Sequence, residues 1–266
     1  MRHLLSRLRG YFIFNPLIWL YTIVLGTASL ISSFFDREGK VQHRIARRWS
    51  WLILKTIFSP LTVIGLEKIN TTKPHLYAVN HLSALDIPSL YVGLPFQFHI
   101  MAKKSLFHYP FLGWHLRRSG QIPVDAESAL ASMRSLNRAA ESLKNGMPLV
   151  IFPEGGRSRD GHLQPFMSGG FYVAIKAGID IIPMALVGSF ELLPMNTYHI
   201  QPRPLQLLVG GPISTKGYTS RQVDQLSAVV RKAIEELYYS QAEVGPRSSA
   251  AQPQVAGASS KAPRLS

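Results

Sequence analysis

The sequence predicts an α/β fold: a mixed, largely parallel sheet flanked by helices, preceded by an N-terminal apolar two-helix membrane anchor. Three observations predict it. Between residues 61 and 239, short apolar runs alternate with amphipathic segments of helical period. Residues 10–35 carry no charge at all and are mostly apolar. Residues 242–266 are rich in Ser, Ala, Pro, Gly and Gln and have neither aromatics nor periodicity, the composition of a disordered tail. The expected organisation is therefore an anchor over 1–60, an α/β domain over 61–241 and a tail over 242–266.

The anchor comes first along the chain. As a helix, residues 11–35 would reach about 38 Å, against about 30 Å for a bilayer core. Tyr11, Phe12, Phe14, Trp19 and Tyr21 sit at its start and Phe34 and Phe35 at its end, as interfacial aromatics do. Arg2, Arg7 and Arg9 precede it; Arg37, Lys40, Arg44, Arg47 and Arg48 follow. Basic flanks on both sides leave two topologies open. One is a single span. The other is a hairpin in one leaflet, with the apolar run 49–64 as its second helix and both flanks, like the domain that follows, on the cytoplasmic face. A cleaved signal peptide is disfavoured by the length of the run and by its early Asn15-Pro16 break.

Apolar runs at 61–66, 75–79, 96–101, 121–124, 149–152, 181–187 and 205–209 read as strands. Residues 127–145 read as a helix, because Leu130, Met133, Leu136, Ala140 and Leu143 recur at threes and fours before Gly146. Residues 220–239 repeat the pattern through Val223, Leu226, Val230, Ile234 and Leu237.

Of the 266 residues, Lys and Arg number 29 against 15 Asp and Glu, a net charge of +14. That balance suits an anionic partner. The apolar N-terminus favours a membrane surface and an anionic lipid over nucleic acid, for which no motif is present. The chain has no cysteine, which removes disulfides, thiolate metal sites and thiol nucleophiles. His99, His108 and His115 are spaced by nine and seven, which suits no standard zinc pattern; they read as surface or packing residues. The aromatics Phe107, Tyr109, Phe111 and Trp114 read first as core packing, with an acyl channel or an interface as the other readings.

Two strand ends carry chemistry. Directly after the run 76–79 comes Asn80-His81-Leu82-Ser83-Ala84-Leu85-Asp86. A five-residue step turns side chains about 140° apart on a helix and onto opposite faces of a strand. His81 and Asp86 therefore meet only if the chain turns between them. A loop running into a helix does this, with Ser83 or Asp86 at its start and Pro88 in its first turn. The imidazole would then act as a base and the carboxylate would fix its tautomer. Otherwise Asp86 is a helix cap and His81 a loop residue. No Gly-x-Ser-x-Gly elbow surrounds Ser83, which argues against a serine hydrolase. The second strand end is Phe152-Pro153-Glu154-Gly155-Gly156-Arg157-Ser158. Here the glycines allow close backbone approach, and Arg157, with Arg159 nearby, offers a clamp for an anion. Taken alone it is a surface turn. Two such loops on one sheet edge fit a base and an anion site in one crevice.

Together these residues resemble the glycerolipid acyltransferase family, specifically the 1-acylglycerol-3-phosphate acyltransferases. Asn80, His81 and Asp86 match its Asn-His-x₄-Asp motif. Phe152, Pro153, Glu154, Gly155, Arg157 and Ser158 match a motif close to Phe-Pro-Glu-Gly-Thr-Arg-Ser. The runs 103–106, 120–125 and 181–185 resemble its other regions, so the likeness covers 64–211 in motif order. The resemblance implies transfer of a fatty acyl chain from acyl-CoA or acyl carrier protein to the 2-hydroxyl of lysophosphatidic acid, giving phosphatidic acid in phospholipid biosynthesis. It implies His81 as general base and Asp86 as its orienting partner. Asn80, Glu154, Gly155, Arg157 and Ser158 would bind substrate, and neither metal nor redox cofactor is implied. Three positions depart from the pattern: Gly156 stands for its threonine, Ala126 for an arginine and Ser168 for a lysine. Each removes a potential phosphate contact, which keeps a lysolipid with another headgroup open as acceptor. A non-catalytic lipid-binding protein is the remaining alternative.

Overall fold

The computed structural model describes residues 8–109, 111–125, 128–197 and 199–246. Of the readings above, those on Arg2, Arg7, Ala126, Glu127 and residues 247–266 lie outside them. A π-helical turn, Gly10–Phe14, leads into α1 (Asn15–Ser32) and then α2 (Lys40–Thr56). The remainder runs β1 (Leu61–Ile64), β2 (Leu76–Val79), α3 (Asp86–Gly93), β3 (His99–Lys103), α4 (Leu112–Arg118), β4 (Ile122–Val124), α5 (Ala129–Lys144) and β5 (Leu149–Ile151). It closes with α6 (Gly169–Ala177), β6 (Ile181–Val187), the short α7 (Ser189–Leu192), β7 (Leu205–Val209) and α8 (Val223–Tyr239).

The seven strands form one sheet in the order β1-β7-β6-β2-β5-β3-β4. Neighbours from β6 through β4 pair in parallel, β1 pairs in parallel with β7, and β7 runs antiparallel to β6. Both faces of the centre are covered. Leu76, Ala78, Ile181 and Ala185 pack toward α5, α6 and α8, while Tyr77, Val79, Ile182 and Met184 pack on the other face with Leu90 and Tyr91 of α3. Residues of β2 and β6 are all buried, which is why they read as unbroken apolar runs rather than alternating ones.

The N-terminal helices depart from expectation in one respect. Residues 10–32 form one continuous helical segment, the only one among the described residues long and apolar enough to cross a membrane by length and composition. The second helix is not the apolar run 49–64. It starts at Lys40, inside the basic flank, and ends at Thr56, so residues 61–64 are free to form β1. Gly39, with φ of 69°, supplies the left-handed backbone that lets the chain turn into it. The helix is amphipathic, and Gln42, Ser50, Ile53 and Leu54 are its buried residues. Phe14, Ile53, Leu54 and Ile57 pack with Leu85, Leu192, Ile200 and Leu205. One hydrophobic cluster therefore crosses the expected boundary at residue 60 and reaches the residue before Asp86.

Strand β3 begins at His99 rather than Phe96, because its partners are Leu149 and Val150 on one side and Ile122 to Val124 on the other. Phe107 is buried, but Tyr109, Phe111 and Trp114 are exposed, so core packing describes only one of those four aromatics.

Candidate active site

Strands β2, β5 and β6 are adjacent and parallel, so the loops leaving Val79, Ile151 and Val187 open on one edge of the sheet. His81 lies in the first loop and α3 begins at Asp86. The turn between them closes the gap: His81 Nδ1 lies 2.8 Å from Asp86 Oδ2. The same oxygen accepts the backbone N–H groups of Leu82 and Ser83, at 2.7 and 2.8 Å. Asp86 is fully buried, and its other oxygen, Oδ1, has no hydrogen-bond partner among the described residues.

Chemistry follows from this arrangement. A carboxylate oxygen accepts, so Nδ1 donates, and Nε2 keeps its lone pair for a substrate proton. The imidazole is 17% exposed and stacks on the Phe152 ring at 4.2 Å between centroids. Phe152 thus limits the ring's motion from one side while Asp86 holds it from another.

The second loop is tied to the first. Ser158 N–H donates to His81 O at 2.8 Å. Glu154, which sequence reasoning placed against substrate, instead bridges the two loops. Its Oε1 accepts the His81 N–H and its Oε2 the Gln164 N–H, both at 2.7 Å. Burial pushes this carboxyl up to about 8, while the two backbone donors and Arg231 pull the other way. Asn80 is also turned inward. It donates to Leu186 O at 2.9 Å and accepts from Leu186 N–H at 2.7 Å, bracketing β2 to β6. Ser158 is buried and donates to His162 O at 2.7 Å. These three side chains spend their polar atoms on the site's frame, not on its opening.

Gly155 and Arg157 have the opposite disposition. Both are exposed, and the Arg157 guanidinium makes no ion pair or hydrogen bond among the described residues. Gly155 has φ of 67°, so its backbone favours glycine, and a Cβ there would lie 2.5 Å from Sδ of the exposed, flexible Met167, which would have to shift. Gly156, where the resemblance calls for threonine, has no atom within 4 Å of an added Cβ. Ser168 stands at the start of α6. Lys104 and Asp125, from the two middle regions of the resemblance, form an ion pair at 2.7 Å. Of the other histidines, His115 bonds Ser29 at 3.0 Å, and burial pushes His99 down to about 4.

Sequence reasoning missed four contributors: Phe152 as the stacking partner of His81, Gln164 and Leu186 as backbone partners, and Arg231, which donates to Gln164 O at 2.8 Å. Only Phe152 left a signal, an aromatic at the first position beyond a strand beside the histidine's own.

The acyltransferase family model matches residues 60–187. The chain is 30% identical over 234 residues to the 1-acyl-sn-glycerol-3-phosphate acyltransferase of Chlamydomonas reinhardtii, covering 85% of this chain and 69% of that one. It is 31% identical over 198 residues to the chloroplastic 1-acyl-sn-glycerol-3-phosphate acyltransferase of Arabidopsis thaliana, covering 72% of this chain and 55% of that one. The crystal structure of the 1-acyl-sn-glycerophosphate (LPA) acyltransferase PlsC from Thermotoga maritima superposes with a TM-score of 0.68 at 28% identity, covering 89% of this chain and 96% of that one. The chain belongs to the acyltransferase family that includes the 1-acyl-sn-glycerol-3-phosphate acyltransferases.

Proposed function

We propose that the chain acylates the 2-hydroxyl of lysophosphatidic acid to give phosphatidic acid, drawing the acyl group from acyl-CoA or acyl carrier protein. Membership of the family supports the reaction, and the observation that carries the mechanism is the His81–Asp86 contact with Nε2 left for substrate. In the proposed reaction the acceptor's hydroxyl proton passes to Nε2 as its oxygen bonds to the thioester carbonyl carbon. The tetrahedral oxyanion then collapses, the carbon–sulfur bond breaks, and the departing thiolate takes the proton from the imidazolium. Asp86 stabilises that imidazolium without itself exchanging a proton. Neither a metal nor a redox cofactor takes part in these steps. Gly155 and Arg157 line the acceptor's phosphate, and Arg157 reaches it as a bidentate donor. The net charge of +14 suits an anionic lipid and an acidic carrier. The apolar segment 10–32 holds the enzyme at a membrane, with the catalytic domain on the cytoplasmic face.

The test is acyl transfer by purified protein from labelled acyl-CoA and acyl carrier protein to lysophosphatidic acid and a panel of other lysolipids, beside His81→Ala. The expected result is transfer to lysophosphatidic acid that falls by about 10²–10⁴ in the variant. Transfer only to another lysolipid would move the chain to a sister activity. Activity indifferent to the substitution would remove the base from the mechanism.

A further inference from the structure

The sheet edge that carries His81 also carries the end of β3. From Lys103 the chain enters a 3₁₀ turn, Lys104–His108, and then α4. This segment does not behave as part of the core. Leu106, Tyr109, Phe111, Leu112 and Trp114 are exposed at 37, 60, 68, 45 and 52%. Phe111 also holds φ of 60°, a backbone region that bulky side chains rarely adopt. In water, nothing offsets that strain by burial.

Charge and position decide what covers these rings. Residues 101–120 include Lys103, Lys104, Arg117 and Arg118 and no Asp or Glu, Lys104 alone being paired among the described residues, with Asp125. A run of aromatic rings flanked by cations suits the headgroup zone of an anionic bilayer. A soluble partner that buried the same patch would leave those cations against a dry surface. The patch is also continuous with the apolar N-terminal segment. Ser29 of α1 bonds His115 of α4 at 3.0 Å. The Arg118 guanidinium lies 4.8 Å from the centroid of the Phe34 ring. Phe34 and Phe35, which follow α1, are exposed at 69 and 88%.

We propose that residues 106–109 and 111–114 form a second membrane-docking element, seating Tyr109, Phe111 and Trp114 in the headgroup zone of an anionic bilayer beside α1. Because β3, β5 and β2 end on one edge, this contact turns the crevice containing His81 toward the lipid surface. The inference rests on the reading that the chain works at a membrane, and its test separates the two.

The chain has no cysteine, so single reporters can be placed in it without a background. Phe111→Cys, Trp114→Cys, Ile23→Cys on α1 and Thr72→Cys, exposed at the opposite sheet edge, are labelled with an environment-sensitive fluorophore. Each is reconstituted with phosphatidylcholine–phosphatidylglycerol vesicles. The expected result is a blue shift at positions 111 and 114, quenching by lipids spin-labelled near the headgroup, and loss of most iodide quenching, with Thr72→Cys unchanged. Labels at 111 and 114 as open to iodide as that at 72, with Ile23→Cys protected, would overturn the docking element alone. All four labels open would overturn the membrane reading with it. Protection that needs no vesicles and grows with protein concentration would assign the patch to a second copy of the chain and overturn the proposal. Two independent reporter positions guard against one variant misfolding.

Discussion

One oxygen of Asp86 holds both the His81 ring and the loop that presents it: Oδ2 meets Nδ1 at 2.8 Å and the N–H groups of Leu82 and Ser83 at 2.7 and 2.8 Å. Orientation and loop shape therefore depend on one buried carboxylate. Asp86→Asn keeps an acceptor oxygen but removes the charge that stabilises the imidazolium. We expect kcat to fall by about 10²–10⁴ with the acceptor KM nearly unchanged. Steady-state kinetics on lysophosphatidic acid checks this, and an Asn variant with full kcat would show that the carboxylate only shapes the loop.

Asn80 gives a contrasting prediction, because its effect is on the fold. Its amide is fully buried and makes both of its bonds to Leu186. Asn80→Ala leaves a buried N–H and a buried C=O unpaired, at a cost of about 2–4 kcal/mol. Thermal unfolding in detergent measures it. A variant with unchanged Tm but altered KM would instead return Asn80 to the substrate side.

Glu154 makes stability depend on pH. Burial raises its carboxyl from 4.5 to about 8, so the fold favours the neutral form. Its contribution is full below about pH 4.5 and is lost as pH rises through about 8. Relative to Glu154→Gln, which does not titrate, wild-type stability should fall between pH 5 and 8, with a slope approaching about 1.4 kcal/mol per pH unit, and level off above. Denaturant midpoints of both proteins across that range test it; a pH-independent difference would show that the two N–H donors outweigh burial.

How much of this was legible depends on where each residue finds its partner. Strand β6 matched its apolar run at both ends because all seven of its residues are buried, so nothing polar blurs it. Helix α2 was misplaced because its buried stripe includes Gln42 and Ser50, which hide the period that marks a helix, while the more conspicuous apolar run continues through Thr56 into β1. His81 and Asp86 were legible because a five-residue step makes sense only across a turn. The bridging by Glu154 was not, because its partners are backbone N–H groups of His81 and Gln164. Any residue type can supply an N–H, so no side-chain pattern advertises it.

The two adjacent glycines should respond oppositely to substitution. Gly155→Ala meets Met167 Sδ at 2.5 Å and strains a φ of 67°, and should cost about 1 kcal/mol or more. Gly156→Thr enters open space and should leave Tm unchanged. Its hydroxyl beside the acceptor's phosphate should lower the acceptor KM by about 2–10-fold, the worth of one net hydrogen bond. Tm and KM on the two variants check both halves; an unaltered KM in Gly156→Thr would place the phosphate elsewhere.

Arg157 and Arg159 are exposed cations of this loop without an ion pair or hydrogen bond among the described residues, and Arg157 lies nearer the frame residues whose polar atoms are already used. A guanidinium held there gains most from an anion that arrives with the substrate. Arg157→Ala should raise the acceptor KM by about 10–100-fold, the worth of a charge-assisted hydrogen bond, with kcat little changed. Arg157→Lys keeps the charge but not the fork and should recover only part of the loss. Rising salt should raise the wild-type KM more steeply than that of Arg157→Ala, because the variant lacks one of the charges that screening weakens. If kcat falls instead while KM holds, Arg157 meets charge that develops only in the transition state, and the phosphate needs another partner.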